Sequence, residues 1–138
     1  MKKMILAVTL LSMVGTAEAQ ELKKGNLVGV HVMTVKLEPG VTIEKFTEFY
    51  VTKVIPEVER HRAGWRLYPV KRIRGEKADG FGVIFVIDSE ANRDKFYNAD
   101  GNPTELGKAV NAKVQPIYDE MQKLGTITAG VYTDWLVY

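Results

Sequence analysis

The chain has 138 residues, 26% charged and 46% hydrophobic, with no cysteine and a formal net charge of +2. A balance this near neutrality excludes the broad basic field used by nucleic-acid and membrane-surface binders. The missing cysteine excludes disulfides and a lipid-attachment thiol, and the length suits one domain.

Met1-Lys2-Lys3 is a basic start, Met4 to Val14 an apolar run, and Ala17-Glu18-Ala19 a small-x-small cleavage site before Gln20. Residues 1–19 therefore read as a secretory signal peptide. The run is too short to span a bilayer, which takes roughly 20 apolar residues. The expected product is exported, periplasmic or secreted, and free of the membrane after cleavage. A polar lead, 20–26, precedes a single domain at 27–138.

Leu27 to Leu37 reads as a strand apolar on both faces, with Val28, Val30 and Val32 opposed to Leu27, Met33, Val35 and Leu37. Glu38-Pro39-Gly40 turns the chain, and Thr42 caps a helix whose apolar stripe is Ile43, Phe46, Tyr50, Val54 and Val58, widened by Phe49, Val51 and Ile55. Pro56 should kink or interrupt that helix, and Gly64 should end it after Arg60-His61-Arg62. Trp65 to Arg74 reads as a second strand, placed at an edge by Pro69. The turn-rich segment Gly75 to Gly80 then leads into Phe81 to Ile87, a strand buried on both sides.

Asp88-Ser89 caps a short helix, Glu90 to Tyr97, and Asn98 to Pro103 interrupts it. Thr104 caps a longer helix carrying Leu106, Val110, Val114, Ile117, Met121 and Leu124, kinked at Pro116 and ended by Gly125. Thr126 to Tyr138 is the last strand, with Val131, Thr133, Trp135 and Val137 alternating against Tyr132, Asp134, Leu136 and Tyr138. The order is strand, helix, two strands, helix, strand. This is the α+β, ferredoxin-like βαββαβ layout, a four-stranded antiparallel sheet with the first and third strands central.

Two helices cover one face of such a sheet. Whichever register faces away from them, at least five aliphatic side chains of the central strands lie on it, Val28, Val30, Val32, Ile84 and Val86 in the smaller set. Burial of each is worth roughly 1.5–3 kcal/mol. A second copy packed sheet against sheet is the simplest cover.

The strand Val28 to Leu37 followed by Glu38-Pro39-Gly40-Val41-Thr42, the Val54-Ile55-Pro56 segment, and Phe85-Val86-Ile87-Asp88-Ser89-Glu90-Ala91 together resemble the dimeric α+β-barrel families. These include the antibiotic-biosynthesis monooxygenase-like and stress-responsive barrel proteins, and the resemblance covers most of 26–138. It implies a homodimer whose sheets enclose a barrel, with a small-molecule cavity under the helices or at the barrel mouth. Activities in these families run from cofactor-free oxygenation through haem chemistry and isomerisation to none, so the fold assigns no activity.

His31 stands mid-strand among aliphatics, either as a base or ligand contact, or as a buried histidine bonded to a neighbour. Tyr68, Tyr132, Asp134 and Trp135 are candidates to line the same cavity, with Arg66 supplying charge for an anionic ligand; packing is the competing role of the aromatics. The haem-degrading relatives use a histidine on the second helix, and Glu90 to Leu124 contains none. With His31 and His61 as the only histidines, no metal site and no cofactor are expected. Glu57 and His61 at i, i+4 read as a surface pair. Asn98 to Asn102 departs from a calcium loop in its glycine position and lacks a glutamate at the twelfth position. Lys71-Arg72-Ile73-Arg74 reads as a solvated strand edge. The leading expectation is an exported homodimer that binds a small apolar or aromatic molecule. The alternatives are a cofactor-independent monooxygenase-like or isomerase-like enzyme with His31 as base, and an interaction module whose barrel is filled by its own side chains.

Overall fold

The structure, a computed structural model, describes residues 21–75 and 80–138. The signal-peptide assignment at 1–19 and the tip of the hairpin, 76–79, lie outside the described residues. Among those described, no helix is long and apolar enough to cross a membrane.

Four strands, β1 (Leu27–Leu37), β2 (Trp65–Lys71), β3 (Phe81–Ile87) and β4 (Gly125–Leu136), form one sheet in the order β2-β3-β1-β4, with every neighbouring pair antiparallel. Helices α1 (Ile43–Phe49), α2 (Ile55–Arg60), α3 (Glu90–Asp94) and α4 (Glu105–Gln122) occupy the two crossovers. This is the α+β, ferredoxin-like arrangement expected from the sequence, with β1 and β3 central and β2, carrying Pro69, at an edge.

Between α1 and α2 the chain makes a π turn, Tyr50–Val54, where a kink was expected. The buried side chains Phe46, Tyr50, Val54 and Val58 explain it. A strict four-residue spacing drifts by about 40° per step around an α-helix, and the wider π turn takes part of that drift out. It also accommodates Pro56, which sits in the first turn of α2 while the Ile55 N–H reaches back to Tyr50 O. Val51 falls outside the stripe and is exposed. The later helix continues as one element through Pro116. The short helix stops at Asp94 rather than Tyr97, and Tyr97 instead pairs with Pro103 in an isolated antiparallel bridge.

Alternation places Leu27, Met33, Leu67, Phe81, Val83 and Ile87 on the face covered by the helices, where they pack with Phe46, Val54, Val58, Phe96, Val110 and Val114. The opposite face carries the smaller aliphatic set, Val28, Val30, Val32, Ile84 and Val86, joined by Tyr68 and Val70 from β2 and by Val131 and Trp135 from β4. The outer edge of β2 is blunted locally: Glu59 Oε1 accepts the Leu67 N–H at 2.8 Å.

One irregularity decides which side chains of β4 meet the helices. Its pairing with β1 shifts between His31 and Met33, so that Gly130 and Val131 both stand opposite Val32. A Cβ at Gly130 would overlap the Val32 carbonyl oxygen, so the bulge requires glycine there. Ile127 faces the helices before the bulge; Tyr132, Asp134 and Leu136 face them after it.

Candidate functional site

His31, on the helix-facing side of β1, stands directly opposite Val83 of β3 and Tyr132 of β4. Its ring meets Tyr132 edge-on with centroids 5.6 Å apart and lies 6.4 Å from Phe85. These contacts are aromatic, and none of its ring nitrogens has a hydrogen-bond partner among the described residues. Burial holds the imidazole below its ordinary 6.5, so it is neutral at neutral pH.

Beside His31 lies a cavity of about 350 Å³ lined by His31, Trp65, Phe85, Arg93, Tyr97, Gly101 and Tyr132. This is a volume suited to a small organic molecule. Each wall has a local cause. Trp65 opens β2 and packs edge-on to Phe85 at 6.1 Å and Phe96 at 5.6 Å. Ser89 caps α3 by accepting the Asn92 N–H, and Asn92 Nδ2 donates to Ala63 O at 2.8 Å, which fixes α3 to the turn before β2. Arg93 then donates from Nη1 to Tyr97 O at 3.1 Å and Asn98 O at 2.7 Å, holding the loop that brings Gly101 to the cavity. That loop is closed on itself by the Asn102 N–H donating to Asn98 Oδ1 at 2.9 Å.

At the β4 wall the Tyr132 hydroxyl donates to Asp134 Oδ1 at 2.6 Å, and Arg93 Nε lies 3.5 Å from Asp134 Oδ2. Burial first, and the neighbouring Asp134 carboxylate second, raise the Tyr132 phenol above its ordinary 10.0. The phenol therefore stays protonated and Asp134 is held as an acceptor between tyrosine and arginine. Gly29 makes room for this pair, since a Cβ there would stand 2.8 Å from the Tyr132 hydroxyl and 3.2 Å from Asp134 Oδ1. Nε1 of Trp65 and Nε of Arg62, buried donors nearby, have no hydrogen-bond partner among the described residues.

His31, Tyr132 and Asp134 are thus brought together. The other three candidates are not. Trp65 and Leu67 take the core side of β2, so Arg66 and Tyr68 turn to the outer face; Arg66 lies 3.6 Å from Glu59 in an exposed ion pair. Trp135 is paired with Val28, also on the outer face, and its Nε1 donates to Thr133 Oγ1 at 2.9 Å. The expectation that all six line one cavity is corrected by the period of two along each strand. Trp65, Phe85, Arg93 and Tyr97 were missed as site residues, because large apolar residues in strands and an arginine on a short helix carry ordinary packing and surface signals. Gly29, a gap two positions before His31 in a largely aliphatic strand, was the available hint.

A larger groove of about 560 Å³ at the other end of the sheet is lined by Val35, Leu37, Ile43, Glu44, Thr47, Pro69, Val70, Lys71, Gly80 and Phe81. It contains none of the candidate residues. His61 and Arg60 both meet Glu57 Oε1, at 3.1 and 2.6 Å, as the surface cluster expected of that spacing. Among the described residues no group of three or more His, Asp or Glu is placed to hold a metal.

No protein-family model and no curated protein matches the chain. Among solved structures it is similar to SnoaB, a cofactor-independent oxygenase from Streptomyces nogalater, at 12% identity and a TM-score of 0.48 over 83% of this chain and 94% of that one. It is also similar to a dimeric ferredoxin-like protein of unknown function from Thermobifida fusca, at 12% identity and a TM-score of 0.37 over 86% and 99% of the two chains. A Caulobacter crescentus protein provisionally described as an antibiotic-biosynthesis monooxygenase aligns at 15% identity and a TM-score of 0.36 over 82% and 89%.

Proposed function

We propose that the chain is an exported, homodimeric protein that binds a small aromatic molecule in the cavity beside His31. The observation that carries this reading is the cavity wall: Trp65, Phe85, Tyr97, Tyr132 and a neutral His31 surround about 350 Å³. Flat apolar surfaces with a few polar groups at fixed positions are what a planar ligand requires for burial and orientation. The signal-like leader at 1–19 supports export.

A second reading, enzymatic, is favoured by His31 itself. A neutral imidazole against the cavity is able to take a proton from an acidic C–H or O–H of a bound aromatic, with the Tyr132 hydroxyl and Arg93 on the adjacent wall. This supports proton abstraction as the first step of a cofactor-independent oxygenase-like or isomerase-like reaction, and His31→Ala would abolish such turnover.

The test is titration with the uncharged fluorophore N-phenyl-1-naphthylamine. Saturable binding at one site per chain is expected. His31→Trp, which narrows the cavity, should weaken it by about tenfold, a loss of about 1.4 kcal/mol. Probe binding that the substitution leaves unchanged would overturn the assignment.

A further inference from the structure

Arg62 lies in the turn between α2 and β2 and is 4% exposed, yet among the described residues it forms no ion pair. Its Nη2 donates to Asn111 Oδ1 at 2.7 Å and to the Tyr97 hydroxyl at 3.3 Å. Its guanidinium carbon stands 5.4 Å from the centre of the Trp65 ring and 5.9 Å from that of Phe96. All of these partners are uncharged. A buried guanidinium stays protonated, and aromatic faces and neutral acceptors offset only part of what it loses on leaving water.

Trp65 and Tyr97, which Arg62 touches from behind, are both walls of the cavity. The other cation there, Arg93, faces two carboxylates, Asp134 at 3.5 Å and Asp94 at 3.4 Å, which more than match its single charge. Arg62 therefore sets a positive charge with no carboxylate partner among the described residues against the Trp65 and Tyr97 side chains.

The geometry points to an aromatic oxyanion, a carboxylate or phenolate on a planar ring, as the ligand class, with Arg62 supplying the counter-charge through the cavity wall. This deepens the binding reading above and rests on it. Arg66, the arginine first expected to serve an anion, faces the other side of the sheet; the arginine three residues before Trp65 takes that role. Arg62 is a specificity-determining residue that need not touch the ligand.

The experiment compares two probes of nearly the same shape, 1-naphthoate and the uncharged 1-naphthamide, by displacement of N-phenyl-1-naphthylamine. In the unsubstituted protein naphthoate should bind about tenfold tighter than naphthamide, the order expected of one unit charge acting at several ångströms through a poorly polarisable wall. Arg62→Met should erase the preference, and Arg62→Lys, which keeps the charge, should restore most of it. Equal binding of the two probes to the unsubstituted protein overturns the oxyanion assignment while leaving the cavity reading intact, and that comparison holds even if Arg62→Met fails to fold. Retention of the full preference by a folded Arg62→Met assigns Arg62 a packing role alone and overturns the inference. If neither naphthyl probe nor the fluorophore binds, the cavity reading itself falls with it.

Discussion

At the scale of single residues, the site is organised by what β1 omits as much as by what it carries. Gly29 and His31 are successive positions on the helix-facing side of one strand, and the missing side chain at Gly29 admits the Tyr132–Asp134 pair that forms the next wall. His31 was conspicuous in the sequence because an ionisable ring in an aliphatic strand must be stabilised or kept neutral. Arg62 was not, since within Arg60-His61-Arg62 it reads as a helix-terminal basic cluster, and only the tertiary fold shows that one of the three is buried. The neutrality of His31 has a consequence for stability. Burial lowers its folded pKa below the unfolded 6.5, so the unfolded chain binds a proton more readily. The stabilising contribution is full above pH 6.5 and declines as pH falls from there toward the folded value. His31→Gln should flatten that part of the profile. Urea midpoints at pH 7.5 and pH 5 check this: the drop on acidification should be smaller in His31→Gln than in the unsubstituted protein, and an identical drop would show that other groups carry it.

At the scale of elements, β1 and β3 were legible to the residue, since a run apolar on both faces has few alternatives to a central strand. The π turn at Tyr50–Val54 was hidden in a pattern that was plainly visible, Phe46, Tyr50, Val54 and Val58 at equal spacing, which an ideal α-helix does not keep on one face. The bulge in β4 was harder. Alternation on each side of Gly130 is regular, and nothing local reveals that the two halves are out of phase, because the shift is defined only against β1. It is this extra residue that turns Tyr132 and Asp134 toward His31 and leaves Trp135 outside. Gly130→Val should therefore do more than lower stability. Its Cβ would collide with the Val32 carbonyl, a cost on the order of 1–3 kcal/mol if the backbone yields. Relief by closing the bulge would carry Tyr132 and Asp134 to the opposite face. The expected result is a lower melting temperature together with loss of naphthylamine binding; a destabilised variant that binds the probe normally would show that the cavity does not depend on the bulge.

At the scale of the molecule, the two faces of the sheet have different uses, and neither reading of the cavity explains the outer one. Val28, Val30, Val32 and Ile84 sit there only half-buried, and Val131 and Trp135 are 68% and 62% exposed. Together with Tyr68 and Val70 they make one apolar surface spanning all four strands, larger than the scattered apolar residues of ordinary monomers. Full burial of the five central aliphatics is worth roughly 8–15 kcal/mol, less what the sheet itself already covers. A two-fold partner would set this surface against its own copy and would keep the helices and cavity on the outside of the pair. The cavity is lined by residues of one chain, on the far side of the sheet from that surface. Dimerisation and ligand binding should therefore separate. Sedimentation of the unsubstituted protein should give about twice the mass of one chain. Val30→Asp, which places a carboxylate among β-branched side chains at the centre of the surface, should give monomers that still bind the naphthylamine probe. An unsubstituted protein that sediments as a monomer at high concentration would rule out the sheet-to-sheet pair, whereas monomeric Val30→Asp that folds but no longer binds would mean that the partner helps to build the cavity.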